Sequence, residues 1–97
     1  MKNVLIIGAG GIGRRHIKGY LSTNRVSLSI VEPDDKKIST IKEEFSIDKT
    51  YTNIQQANLT EFDLAVICSP ANMHVDAMNM CAQNNLSFMV EKPLSTS

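Results

Sequence analysis

The stretch Asn3-Val-Leu-Ile-Ile-Gly-Ala-Gly-Gly-Ile-Gly-Arg-Arg-His16 joins an apolar run of strand length to the spacing Gly8-x-Gly10-x-x-Gly13. A helical pattern follows at once, and a strand, these glycines and a helix in this order predict a dinucleotide-binding turn. Gly8 suits a tight turn, Gly10 leaves room for a diphosphate, and Gly13 lets the helix pack close to the strand. Backbone N–H groups and the positive end of the helix dipole would then face the diphosphate.

An acidic residue about twenty positions further on is the second feature of such a site. Glu32 stands 19 residues after Gly13, at the end of the apolar run Leu28–Val31. Its carboxylate can accept hydrogen bonds from the adenosine ribose hydroxyls and repels a 2′-phosphate, so the sequence predicts NAD rather than NADP. Four basic residues keep NADP open as an alternative if any of them reaches the pocket: Arg14, Arg15, Lys36 and Lys37. A glycine-rich turn is also compatible with no ligand, with S-adenosylmethionine or with a flavin nucleotide.

Size and charge restrict the classes of function. The chain has 97 residues, of which 42% are hydrophobic, so one domain is the most it can form. Ten Lys plus Arg balance ten Asp plus Glu without a basic cluster, which argues against nucleic acid or an anionic membrane as partner. The longest apolar stretch is too short to span a bilayer, and the first strand begins too early for a signal peptide.

The cysteines point the same way. Cys68 and Cys81 lack the spacing of zinc ligands and fall in apolar elements, so we expect free thiols, no metal and a cytoplasmic location.

Strand-like and helix-like segments alternate along the chain. Strands are expected near 3–7, 27–31, 49–51, 64–68 and 87–91, and helices near 11–22, 34–45 and 72–84, with a short one near 54–58. This alternation predicts an α/β, Rossmann-type doubly wound parallel sheet with strand order 3-2-1-4-5 and helices on both faces, truncated after strand 5.

Local signals refine the helices. Pro33 is expected to open the second helix, and Asn84-Asn85 to close the last one. In that last helix a buried stripe is expected at Val75, Met78, Cys81 and Ala82.

The ligand crevice should lie where the strand order reverses, at the carboxyl ends of strands one and four. Ser69 and Pro70 end the fourth strand there, and Asn72 either caps the next helix or lies near the nicotinamide with His74. Lys92 ends the fifth strand, where an ammonium could stabilise an alkoxide or be an ordinary terminal lysine. For His16 a structural role is expected, ordering the glycine loop.

Three segments in this order resemble the N-terminal half of the Gfo/Idh/MocA oxidoreductases: Gly8-Ala-Gly-Gly-Ile-Gly-Arg-Arg-His16, Cys68-Ser-Pro-Ala-Asn-Met-His74 and Val90-Glu-Lys-Pro-Leu94. The resemblance implies that residues 1–97 are a dinucleotide-binding domain and that Lys92 assists hydride transfer. The cofactor-binding residues expected are Gly8, Gly10, Gly11, Ile12, Gly13, Glu32, Ser69, Pro70, Asn72, His74, Glu91, Lys92 and Pro93.

The same resemblance implies an NAD(P)-dependent reaction between a sugar or cyclitol hydroxyl and its ketone. Family members carry a second domain that binds substrate and often forms the dimer. The 97 residues do not include it, so the chain alone is expected to be inactive. An unpaired sheet edge makes a homo-oligomer an expectation. A non-catalytic module that senses NAD for regulation or scaffolding is the alternative function.

Overall fold

The computed structural model describes residues 2–69 and 74–91. Its strands are β1 (Lys2–Ile7), β2 (Val26–Val31), β3 (Thr50–Tyr51), β4 (Leu64–Ile67) and β5 (Phe88–Val90), and its helices are α1 (Gly11–Ser22), α2 (Asp35–Glu44) and α3 (His74–Gln83). All neighbouring strands pair in parallel in the order β3-β2-β1-β4-β5. The predicted strand order and doubly wound fold are confirmed.

Both faces of the sheet are covered, which explains why the strands are apolar without polar alternation. Successive residues of β1 point to opposite faces: Val4 and Ile6 pack in a core with α1 and α2, whereas Leu5 and Ile7 pack in a second core with α3. Helices therefore lie on the two sides of one sheet, as predicted.

The start of α2 differs from the prediction. Asp34 is the N-cap, in extended conformation, and its carboxylate accepts a hydrogen bond from the backbone N–H of Lys36 at 2.9 Å. Pro33 stands before this cap and outside the helix, so the prediction that it opens α2 was wrong. A side chain that can accept a bond from the helix terminus decides the boundary here.

The end of α3 is confirmed and its buried face is corrected. Asn85 adopts a left-handed φ of 54°, and the N–H of Leu86 bonds the carbonyl of Cys81 at 2.9 Å. Ala77 and Cys81, one turn apart, are buried, whereas Val75 is 63% exposed. Ala82 is exposed as well. Of the four predicted positions, Cys81 is buried and Met78 packs partly buried against the core, so the prediction was wrong only for Val75 and Ala82.

Two single 3-10 turns connect β3 to β4. The first, Ile54–Gln56, replaces the short helix predicted near 54–58, and the second, Leu59–Glu61, was not predicted. Asn53 and Asn58 each accept a hydrogen bond from the backbone at the start of a turn. Leu59 is buried in the core beneath α3, which anchors the connection.

Candidate functional site

Strand register brings four of the candidate segments to one edge of the sheet. Ile7 of β1 pairs with Val31 and Ile67, and Ile67 also pairs with Val90. The next residue along each strand is Gly8, Glu32, Cys68 and Glu91, respectively. The glycine loop, the acidic residue and the ends of β4 and β5 therefore share the edge at which the strand order reverses, where doubly wound sheets bind ligands.

Two glycines are required by the backbone itself. Gly8 has a φ of 94°, and a Cβ there would stand 2.7 Å from the amide nitrogen of Ser69. A Cβ on Gly13 would overlap the carbonyl oxygen of Gly8. The tight turn and the close contact of helix with strand, both predicted from the sequence, are confirmed as features of the backbone.

Gly10 and Gly11 differ from this pair because a Cβ on either would meet nothing within 4 Å. Gly10 is the N-cap of α1, makes no side-chain capping bond and has an ordinary extended conformation. Packing does not require glycine at these positions. At Gly10 and Gly11 no side chain stands over the start of α1, which is the property that a bound diphosphate needs. Ile12 belongs to this turn, although its side chain lies outside the described part.

Glu32 joins two loops through its carboxylate. The residue is 5% exposed, and its Oε1 accepts the backbone N–H of Ala9 at 2.9 Å while Oε2 accepts that of Asp34 at 2.9 Å. A carboxylate offers about four lone-pair positions, so acceptor capacity for ribose hydroxyls remains. Sequence reasoning predicted Glu32 as a ligand residue and missed that it also holds the glycine loop against the start of α2.

The end of β4 carries a buried hydroxyl beside the glycine turn. Ser69 is 9% exposed, and its Oγ has no hydrogen-bond partner among the described residues. Its carbonyl oxygen accepts a bond from Nε2 of His74. Buried polar atoms are normally paired, so a free hydroxyl here is available to a ligand. Two other predicted site residues that follow Ser69 in the chain, Pro70 and Asn72, lie outside the described residues.

Glu91 at the end of β5 pairs with α1. Its Oε1 lies 3.1 Å from Nε2 of His16, whose ring stacks on Tyr20 with centroids 6.2 Å apart. The Glu91 charge also affects Cys68, the residue after β4. Burial, and to a smaller extent this charge, raises the pKa of the Cys68 thiol to about 11. His16 was predicted to order the glycine loop, but its side chain instead contacts Glu91 and Tyr20, and no sequence pattern indicated the contact with Glu91. Lys92 and Pro93 lie outside the described residues.

A groove of about 330 Å³ runs between the glycine loop and α2. It is lined by Ala9, Gly10, Gly11, Arg14, Lys36, Lys37, Thr40 and Ile41. The Nη2 of Arg14 donates to both carboxylate oxygens of Glu44, at 2.7 and 2.6 Å, and this hydrogen bond raises the pKa of Arg14 further. Three of the four basic residues that left NADP as an alternative cofactor, Arg14, Lys36 and Lys37, therefore line one groove. Of these, Arg14 is already paired with Glu44.

Two negative observations apply to residues 2–69 and 74–91. No three His, Cys, Asp or Glu side chains come together as a potential metal site. Every helix in these ranges falls short of the length and apolar character that crossing a lipid bilayer requires.

Comparison with known proteins identifies the family. Residues 2–97 match the Gfo/Idh/MocA family, described as an oxidoreductase family with an NAD-binding Rossmann fold. A myo-inositol 2-dehydrogenase from Thermotoga maritima is 26% identical over 95 residues, which cover 93% of this chain and 28% of that protein. A 4-carboxy-2-hydroxymuconate-6-semialdehyde dehydrogenase from Sphingobium is 23% identical over 96 residues, 97% of this chain and 30% of that protein. The chain thus spans about three tenths of these relatives.

A solved structure repeats the fold. An oxidoreductase from Agrobacterium radiobacter, crystallised with NAD⁺, L-tartaric acid and magnesium, superposes with a TM-score of 0.84 at 18% identity. The match covers 99% of this chain and 29% of that one. Likeness at this identity shows the fold alone, and the family match supplies the assignment. The chain belongs to the Gfo/Idh/MocA oxidoreductase family, of which it carries the NAD-binding Rossmann fold.

Proposed function

We propose that the chain holds NAD across the carboxyl edge of its sheet, with the diphosphate at the glycine loop and the adenosine ribose at Glu32. The observation that carries this is the buried Glu32 carboxylate, which accepts the N–H of Ala9 next to the start of α1, where Gly10 and Gly11 carry no side chain and no side chain caps the helix. Acceptors for ribose hydroxyls and donors for phosphate oxygens thereby stand on adjoining loops. The loop residues proposed to contact the diphosphate are Gly8, Gly10, Gly11, Ile12 and Gly13.

The nicotinamide half would lie toward β4 and β5. Ser69 supports this placement because its buried hydroxyl has no partner among the described residues. His74 bonds the Ser69 carbonyl, which ties the start of α3 to the residue that follows Cys68. Following the family resemblance, the proposal extends to Pro70, Asn72, Glu91, Lys92 and Pro93.

NAD, when bound, supplies a nicotinamide ring that accepts or returns a hydride. The chain's own residues would bind and orient it. Lys92 is proposed as the catalytic residue, placing an ammonium near the reacting oxygen, where a fixed positive charge stabilises a developing alkoxide. Lys92 directly follows Glu91, whose Oε1 lies 3.1 Å from Nε2 of His16. This contact holds Glu91 in place at the end of β5.

The protein that carries this domain is proposed to be an NAD-dependent oxidoreductase acting on the hydroxyl or ketone of a sugar-like or cyclitol-like molecule. Family membership and the likeness to a myo-inositol 2-dehydrogenase support this substrate class. Because the chain spans about three tenths of its relatives, substrate contacts are proposed to lie in the part of the relatives it does not span.

Calorimetric titration of the chain with NAD, NADH, NADP and NADPH tests the cofactor assignment. We expect the unphosphorylated pair to bind more tightly, because Glu32 repels a 2′-phosphate. Failure of all four nucleotides to bind would overturn the proposed site.

The activity requires a separate experiment in the full-length protein. Lys92→Ala should abolish turnover while NAD affinity is kept. Altered affinity with no turnover in either form would favour the NAD-sensing module instead.

The proposal also includes the cellular location and the oligomeric state. A cytoplasmic location is supported by the two free thiols, Cys68 and Cys81. A homo-oligomer is supported by Phe88 and Met89, which are 36% and 41% exposed on β5. Light scattering that finds only monomer across a dilution series would contradict the second.

A further inference from the structure

The groove beside Glu32 is the place where a phosphate on the adenosine ribose would enter. Ala9 lines the groove and donates its N–H to Glu32, so the groove adjoins the proposed ribose position. Arg14 lies on the α1 side, and Lys36 and Lys37 lie on the α2 side. A groove with cations on both walls would attract a 2′-phosphate, contrary to the effect of Glu32.

Arg14 is already paired and is therefore not available to bind such a phosphate. Its Nη2 donates to both carboxylate oxygens of Glu44, and its guanidinium carbon lies 5.9 Å from the centroid of the Phe45 ring. Both partners stand at the carboxyl end of α2, which draws the guanidinium toward that end. A carboxylate and a phosphate compete for the same guanidinium donors, so Glu44 occupies the group that a 2′-phosphate would use.

We infer that Glu44 is a specificity-determining residue that favours NAD over NADP by holding Arg14 in this ion pair. The inference rests on the proposed nucleotide site and adds a second element to its selectivity. Glu32 acts on the ribose directly, whereas Glu44 is a positioning residue that acts through Arg14. Side-chain exposures of 38% and 45% leave the pair accessible to solvent, so a nucleotide phosphate can reach Arg14 once the carboxylate is removed.

The test compares the ratio of NADP affinity to NAD affinity in the chain and its Glu44→Gln variant by calorimetric titration at low salt. The ratio should rise about three- to tenfold, since an exposed charge-assisted contact is gained with the 2′-phosphate alone. Glu43→Gln is the matched control, because Glu43 is exposed and loses the same charge one position earlier. It should move the ratio less than about twofold. The double variant Arg14→Gln/Glu44→Gln should return the ratio to its original value.

The outcomes separate the two proposals. If the unaltered chain binds neither nucleotide, the proposed site fails and the inference fails with it. If NAD binds but Glu44→Gln and Glu43→Gln behave alike, the inference alone is overturned. A rise that survives removal of Arg14 would also overturn it, because the effect would then be general charge. Thermal melts verify that every variant is folded, and Glu44→Asp, which keeps the carboxylate, should move the ratio back toward that of the unaltered chain.

Discussion

Nε2 of His16 on α1 lies 3.1 Å from Oε1 of Glu91, the residue that follows β5. The two belong to the first and last of the three segments that resemble the family, and 75 positions separate them in the chain. Their side chains are 22% and 34% exposed, so the contact is better shielded from water than an ordinary surface ion pair. It ties α1, whose start is part of the proposed nucleotide site, to the strand end that precedes Lys92.

A double-mutant cycle on this pair should reveal direct coupling. His16→Phe keeps an aromatic ring against Tyr20 and removes the contact with Glu91, while Glu91→Gln removes the charge. We expect each to lower the free energy of unfolding and the two effects to be non-additive by about 0.5–1 kcal/mol in urea denaturation. His16→Ala, which also removes the stacking, should cost more than His16→Phe. Additive effects of the first two variants would show that the pair does not interact in solution.

Glu32 should affect stability and binding separately. Replacing it with Ala leaves the N–H groups of Ala9 and Asp34 without their acceptor, which should cost about 2–4 kcal/mol of unfolding free energy for two lost bonds. Glu32→Gln retains one acceptor oxygen and should cost less, while NAD affinity falls about tenfold. Urea denaturation and calorimetry measure the two quantities.

NADP serves as the internal control for Glu32→Gln, since its affinity should fall less than that of NAD once the repelling charge is removed. An equal loss for both nucleotides would indicate that the substitution disorders the loop rather than removing a ribose contact.

Three glycines, two in α1 and one at its N-cap, should respond differently to replacement by Ala. Gly13→Ala would overlap the Gly8 carbonyl and should lower the unfolding free energy by more than about 2 kcal/mol. Gly19 is exposed in mid-helix with no neighbour near a Cβ, so Gly19→Ala should raise it by about 0.5–1 kcal/mol. Gly10→Ala should leave stability nearly unchanged and weaken NAD binding, because its Cβ points into open space. A strongly destabilised Gly10→Ala would show that this position is required for packing.

What the sequence could predict follows the range of the interactions involved. The conformations of Gly8 and Asn85 follow from local patterns, since glycine spacing and helix-ending residues act within a few positions. The strand order follows from the alternation of strands and helices together with the connection rules of doubly wound sheets. The prediction of where α2 begins was wrong for a local reason too, because the capping hydrogen bond of the Asp34 side chain outweighs the fixed φ of Pro33. Competing signals one residue apart are where boundary predictions are weakest.

The side-chain pairs of the site were beyond sequence reasoning. Arg14 and Glu44 are brought together by the packing of α1 and α2 on one face, and His16 meets Glu91 because β5 pairs beside β4. Neither composition nor motif spacing indicates which side chains meet when distant elements pack together. Val75 and Ala82 of α3 were wrongly predicted as buried for the same reason, because the side of a helix that faces the sheet depends on how the two pack together.

Cys68 should make stability depend on alkaline pH. Its pKa in the folded chain is about 11, raised from 9.0 mainly by burial and further by Glu91, so the folded state holds the thiol proton more tightly than the unfolded state. The associated stability is fully present below pH 9 and is lost as the pH rises toward 11. Urea denaturation between pH 8 and about 11 should show this loss, and Cys68→Ala should reduce it. Iodoacetamide labelling in a Cys81→Ala background should accelerate only above about pH 10, and at lower pH in Glu91→Gln. Rapid labelling near pH 8 would contradict the raised pKa.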